Sequence, residues 1–166
     1  HHIRLDPGMA FGTGTHPTTG LCLDWLGGLP LAGRAVIDYG CGSGILAIAA
    51  QRHGAARIVG VDIDPQACVV ARENAALNGC NDIDFVLPRS LPPAQFDVLV
   101  ANILLNPLIA LAGEFDARLA TGGRIGLSGL LAEQIDAAMT VYAARFKMDP
   151  PVVRGEWAFL SGRKDA

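Results

Sequence analysis

From Arg34 onward, short apolar runs rich in Val and Ile alternate with longer stretches in which apolar positions recur every three or four residues. The first spacing predicts strands and the second predicts helices. Strands are predicted over residues 35–38, 58–62, 84–87, 97–101 and 124–127, separated by helices over 45–53, 66–78, 107–119 and 131–144. Strict alternation of this kind joins parallel strands, because the chain must cross back over the sheet between them. Two further extended runs, 146–149 and 156–160, are separated by Pro150, Pro151 and a few more residues. A link that short holds no crossover helix, so these two strands are expected to pair antiparallel.

Upstream, residues 17–26 read as an extra helix, with Thr15, His16 and Thr18 as candidate caps and Leu21, Cys22, Trp25 and Leu26 as its apolar face. The stretch 6–15 carries Pro7, Gly8, Gly12 and Gly14 and is expected to be a loop.

The strand at 35–38 runs through Tyr39 directly into Gly40-Cys41-Gly42-Ser43-Gly44 and then into a helix. Glycines let the backbone pass close under a ligand where a Cβ would collide, and a helix N-terminus adds positive potential there. Asp62 ends the next strand, where a carboxylate can accept hydrogen bonds from both hydroxyls of a ribose. Asp64 stands before Pro65 and reads as a helix cap. Asp38 is open to two readings, one beside the positive end of a methionine moiety, were the ribose-bearing ligand to carry one, and one as a support behind the site. Gly42-Ser43-Gly44-Ile45-Leu46-Ala47 also satisfies a relaxed dinucleotide fingerprint. A nicotinamide-dependent oxidoreductase is therefore an alternative, opposed by the reversed last strand and by the lack of an evident Tyr and Lys pair for hydride transfer.

The strand at 97–101 ends in Asn102-Ile103-Leu104-Leu105-Asn106-Pro107. Ligands of open parallel sheets lie across strand carboxyl ends, so Asn102 is expected to face the reacting group. Its side-chain oxygen, with nearby carbonyls, can accept hydrogen bonds from an amine and aim the nitrogen lone pair.

Composition narrows the partners. The 166 residues suffice for one domain, and 51% hydrophobic against 17% charged residues suits a sheet covered on both faces. A net charge of −3 offers no basic stripe for phosphates, so no direct nucleic-acid partner is expected and a cationic protein substrate suits the surface better. Cys22, Cys41, Cys68 and Cys80 lack CxxC spacing and nearby histidine pairs, so neither zinc nor a disulfide framework is expected. No run is long enough to span a bilayer, and a cytoplasmic monomer is expected. His16 and His53 are isolated, which disfavours a metal. Trp25, Trp157, Phe146 and Phe159 sit at apolar periodic positions and are expected in the core.

The chain resembles the bacterial methyltransferase family that modifies large-subunit ribosomal protein eleven. The likeness rests on Leu5 to Thr19 (LDPGMAFGTGTHPTT), on Val36-Ile37-Asp38-Tyr39-Gly40-Cys41-Gly42-Ser43-Gly44, on Val61-Asp62-Ile63-Asp64-Pro65 and on Val100-Ala101-Asn102-Ile103-Leu104. It extends over essentially the whole chain. The resemblance implies a Rossmann-like seven-stranded sheet of the class I S-adenosylmethionine-dependent type, with its last strand antiparallel. It also implies transfer of methyl groups from S-adenosylmethionine to lysine and amino-terminal amines of that ribosomal protein. Carried over by position, the cofactor contacts fall on Thr19, Gly40, Asp62 and Asn102, with Gly42 in the same turn and Asn102 as the catalytic residue. Residues 1–33 are then a loop and helix covering the cofactor, part of one domain with a core over 34–166. Residues 11–15 look like a flap, within which Phe11 is alternatively a core anchor. The family's amino-terminal recognition domain has no counterpart in these residues. Alternatives are a stand-alone enzyme for another protein lysine or small amine, and a non-catalytic cofactor-binding module.

Overall fold

In the computed structural model, which describes residues 3–5 and 16–165, the strands are β1 (Ala35–Tyr39), β2 (Arg57–Val61), β3 (Asp84–Val86), β4 (Phe96–Asn102), β5 (Leu119–Leu131), β6 (Lys147–Met148), β7 (Val152–Arg154) and β8 (Trp157–Arg163). They form one sheet in the order β3-β2-β1-β4-β5-β8-β6, with β7 also on β8. The first five strands are parallel, and β8 runs antiparallel to β5, to β6 and to β7. The sheet is therefore Rossmann-like with reversed pairing at its end, as the short link before residue 156 required. The expected flap and loop over 6–15, including Thr15 and Phe11, lie outside the described residues.

The helices are α1 (Pro17–Gly27), α2 (Ile45–Arg52), α3 (Pro65–Leu77), α4 (Leu105–Ala110), α5 (Ala112–Arg118) and α6 (Ile135–Tyr142). Val36, Ile58, Val98 and Val100 turn toward α1, α2 and α3, while Ile37, Val59, Leu99 and Ile125 turn toward α4, α5 and α6. Burial on both faces is why these strands read as continuous apolar runs rather than alternating ones. Prolines occupy the first positions of α1 and α3, each behind a side-chain cap: His16 Nδ1 accepts from Thr18 N at 3.2 Å, and Asp64 Oδ1 accepts from Gln66 N at 2.9 Å. No helix among the described residues is long and apolar enough to cross a membrane.

Three elements differ most from expectation. The helix expected over 107–119 is two helices, because Leu111 adopts φ −92°, ψ 0° and ends α4 while starting α5. The strand expected over 124–127 extends over 119–131, since β4 pairs Phe96 with Leu119 and resumes with Val98 opposite Arg124, leaving the residues between as an irregularity. The helix expected from residue 131 starts at Ile135, because Leu131 still pairs with Trp157 and a 3-10 turn, Ala132–Gln134, intervenes.

Two contacts fix the first helix and the segment before it. Trp25 of α1 lies over Gly126 of β5, where a Cβ would come within 2.5 Å of its ring, and its centroid is 5.5 Å from that of Phe159. Asn78, which ends α3, accepts from Arg4 N at 2.9 Å and donates to Arg4 O at 2.7 Å, while Ile3 and Leu5 pack on the core.

Candidate active site

The carboxyl ends of β1, β2 and β4 open into a cleft of about 470 Å³. Thr19 enters it from α1, Gly40 and Gly42 from the turn after β1, Asp62 from the residue after β2 and Asn102 from the last position of β4. All five residues singled out from the sequence thus line one cavity. The topology explains the convergence: parallel strands carry the residues that follow them to the same sheet edge.

The turn is built on glycines where side chains would not fit. Gly40 has φ 83°, and a Cβ there would collide with Cγ2 of Ile103. Gly44, φ 85°, lets the start of α2 approach α3, where a Cβ would stand 3.1 Å from that of Ala71. Gly40 N and Cys41 N both donate to Val61 O, at 2.6 and 2.9 Å.

Asp62 braces this turn as well as facing the cleft. Its Oδ2 accepts from Gly42 N at 2.9 Å and its Oδ1 accepts from Asp64 N at 3.0 Å. Each carboxylate oxygen can accept more than one hydrogen bond, so capacity for a ligand remains.

Asp38 lies behind the turn, fully buried, with Oδ2 accepting from Ala47 N of α2 at 3.2 Å. Burial pushes its carboxyl up to about 7, opposed by the Ala47 hydrogen bond and reinforced by the charge of Asp62. Of the two readings of this residue, the geometry supports the brace beneath α2. Cys41 lines the cleft, but burial and the nearby carboxylates of Asp38 and Asp62 raise its thiol, so it is held protonated rather than nucleophilic.

Two polar atoms of residues that line the cleft have no partner. Thr19 Oγ1 and Asn102 Oδ1 are both buried without a hydrogen bond. Leaving such an atom unsatisfied costs about 1–3 kcal/mol, so two of them in one cavity mark places for ligand groups. A cavity of this volume, walled largely by apolar residues with a few convergent polar groups, fits a small-molecule cofactor.

Sequence reasoning missed part of the lining. Trp157, expected in the core with Trp25, Phe146 and Phe159, is only partly buried and walls the cleft. It meets the His16 ring edge-on, with centroids 4.7 Å apart. Phe146 and Phe159 are buried, and Trp25 packs on the core. The available signal was topological: Trp157 opens the antiparallel strand opposite Leu131, which brings it to the same sheet edge as Asn102. Among the described residues no group of three His, Cys, Asp or Glu side chains could hold a metal ion.

Comparison with known proteins gives the same direction throughout. The ribosomal protein L11 methyltransferase of Pseudomonas aeruginosa (strain LESB58) is 54% identical over 99% of this chain and 57% of its own length. That of Salmonella arizonae is 54% identical over 98% of this chain and 56% of its own length. The chain therefore spans a little over half the length of these curated relatives. The crystal structure of a ribosomal protein L11 methylase from Lactobacillus delbrueckii subsp. bulgaricus superposes with a TM-score of 0.90 at 36% identity, covering 99% of this chain and 86% of the other. With residues 1–165 matched by one family description, and the cleft assembled at the sheet edge where the fold puts it, the chain belongs to the ribosomal protein L11 methyltransferase (PrmA) family.

Proposed function

We propose that this chain transfers methyl groups from S-adenosylmethionine to lysine and amino-terminal amines of ribosomal protein L11, in the cytoplasm. The observation that carries the reading is the unpartnered, buried Oδ1 of Asn102 at the end of β4, in the same cleft as the glycine turn. Gly40 and Gly42 offer backbone that a ligand can approach, Asp62 retains acceptor capacity for ribose hydroxyls, and the Thr19 hydroxyl is left for a polar group of the cofactor. When bound, the cofactor supplies an electrophilic methyl group on a sulfonium centre.

Asn102 Oδ1 accepts a hydrogen bond from the acceptor amine and points its lone pair along the line of transfer. Freeing a lysine lone pair at pH 7 costs roughly 4–5 kcal/mol from its ordinary pKa. Apolar walls at Ile103 and Trp157 strip water from the amine, which lowers that cost by disfavouring the charged form. Alignment and desolvation together replace a strong side-chain base.

The test is titration with S-adenosylhomocysteine and NAD by calorimetry, followed by radiolabelled methyl transfer to purified ribosomal protein L11. Binding of the first and not the second, with label in the protein, is the expected result. Binding of NAD alone would overturn the cofactor assignment, and cofactor binding with label only in another amine would overturn the substrate.

A further inference from the structure

We propose that Gly129, on β5 and outside the glycine turn, is a positioning residue for methyl transfer, fixing the Ile103 peptide and through it the side chain of Asn102. The inference rests on the proposed function and deepens it.

Asn102 carries the acceptor oxygen of the cleft, yet no hydrogen bond holds that atom. Its direction is therefore set by the backbone on either side. Upstream, that backbone is β4, with Asn102 opposite Ser128 of β5. Downstream, the Ile103 peptide is gripped from two directions. Ile103 N donates to Ser128 O at 3.1 Å, and Ser128 in turn donates from Oγ to Ala158 O of β8 at 2.8 Å. Ile103 also lays its side chain against Gly40, across β1.

Gly129 closes this grip. The register of β5 against β8 breaks between Leu127 and Leu130, and Gly129 within the break has φ 91°. A Cβ there would stand 2.7 Å from the carbonyl carbon of Ile103 and 2.9 Å from its nitrogen, and closer still to its oxygen. All three are backbone atoms that cannot swing aside as a side chain would. Any residue but glycine at 129 forces the two backbones apart, moving the Ile103 segment that follows Asn102 relative to β5. Displacement by about 1 Å at an aligned reacting group is enough to cost on the order of 100-fold in rate.

The experiment compares Gly129→Ala with the unsubstituted chain in kcat and KM for methyl transfer to ribosomal protein L11, in S-adenosylhomocysteine affinity, and in the NMR signals of the Asn102 side-chain amide. The expected result is a kcat lowered roughly 10- to 100-fold, cofactor affinity lowered clearly less than kcat because Thr19, Gly42 and Asp62 keep their places although Asn102 and Gly129 line the same cleft, and displaced Asn102 signals. A kcat within about twofold of the original, unmoved Asn102 signals, or a loss of cofactor affinity equal to the loss of rate would each overturn the proposal. Gly129→Asn serves as the second variant should the first not fold: asparagine tolerates positive φ better than alanine but still sets a Cβ against the Ile103 backbone, and the same split in kcat against cofactor affinity is expected. Normal turnover by that variant would equally overturn the proposal. Absence of methyl transfer in the unsubstituted chain would sink the proposed function, while the Asn102 signals would still decide whether Gly129 sets its geometry.

Discussion

Asp38→Asn isolates the energetic consequence of burying a carboxyl behind the glycine turn. In the folded chain this carboxyl titrates near 7 against an ordinary 3.8, burial being the main cause. Below the ordinary value both folded and unfolded chains carry the proton, and Asp38 adds no pH dependence. Between the two values the unfolded chain releases its proton while the folded chain keeps it, so stability falls as pH rises. Above about 7 the full cost is present. At 1.36 kcal/mol per pH unit that interval corresponds to about 4 kcal/mol. Asparagine keeps an oxygen to accept from Ala47 N, now 3.2 Å from Oδ2, and does not titrate. Its buried amide group lacks an acceptor, a fixed penalty of about 1–3 kcal/mol that is independent of pH. Urea unfolding of both proteins between about pH 4 and 8.5 gives the difference in stability, from which titrations common to both cancel. The variant is expected to gain about 4 kcal/mol relative to the original across that range. A difference that stays flat within about 1 kcal/mol would refute the reasoning.

Asp62→Ala removes the acceptor of two backbone hydrogen bonds as well as the group assigned to the ribose. S-adenosylhomocysteine affinity is expected to weaken by about 1–3 kcal/mol in calorimetry, and an unchanged titration would remove Asp62 from the site. Tyr142→Phe deletes a fully buried hydroxyl that donates to Leu108 O at 2.5 Å, joining α6 to α4 on the face away from α1. A loss of about 1–3 kcal/mol is expected, lowering Tm by about 2–4 °C for each, with cofactor affinity retained; an unaltered melting curve would contradict the bond.

The parts of the fold readable from sequence were those in which local pattern and tertiary environment agree. Val36 and Ile37 are buried on opposite faces, so β1 announced itself as an apolar run, and Pro65 behind Asp64 marked the start of α3 by chemistry that needs no partner. The parts that escaped depend on distant chain. Residues 119–123 read Leu-Ala-Thr-Gly-Gly, a turn by composition, and join β5 because Phe96 pairs with Leu119 and because Gly122 N donates to Lys164 O and Lys164 N donates to Gly123 O. The exposed β7, Val152–Arg154, has no alternation of burial and exists through its pairing with β8. The break at Leu111 falls between two helices whose apolar residues share one core, which leaves no periodicity change to detect. In the cleft, Gly40, Asp62 and Asn102 were legible because each ends or directly follows a recognisable strand. Trp157 and Gly129 were not, since their relevance comes from the reversed strand and from a backbone contact between β5 and the residue that follows β4.

The bare Cα of Gly126 has a reach beyond its own strand. It is the saddle on which Trp25 sits, and Trp25 belongs to the same helix that delivers Thr19 to the cavity. A methyl group added in the middle of β5 would tilt that helix as a pebble under a lever tilts its far end. In this chain the seat of Thr19 at the cleft is thus set partly at a sheet position that does not line it.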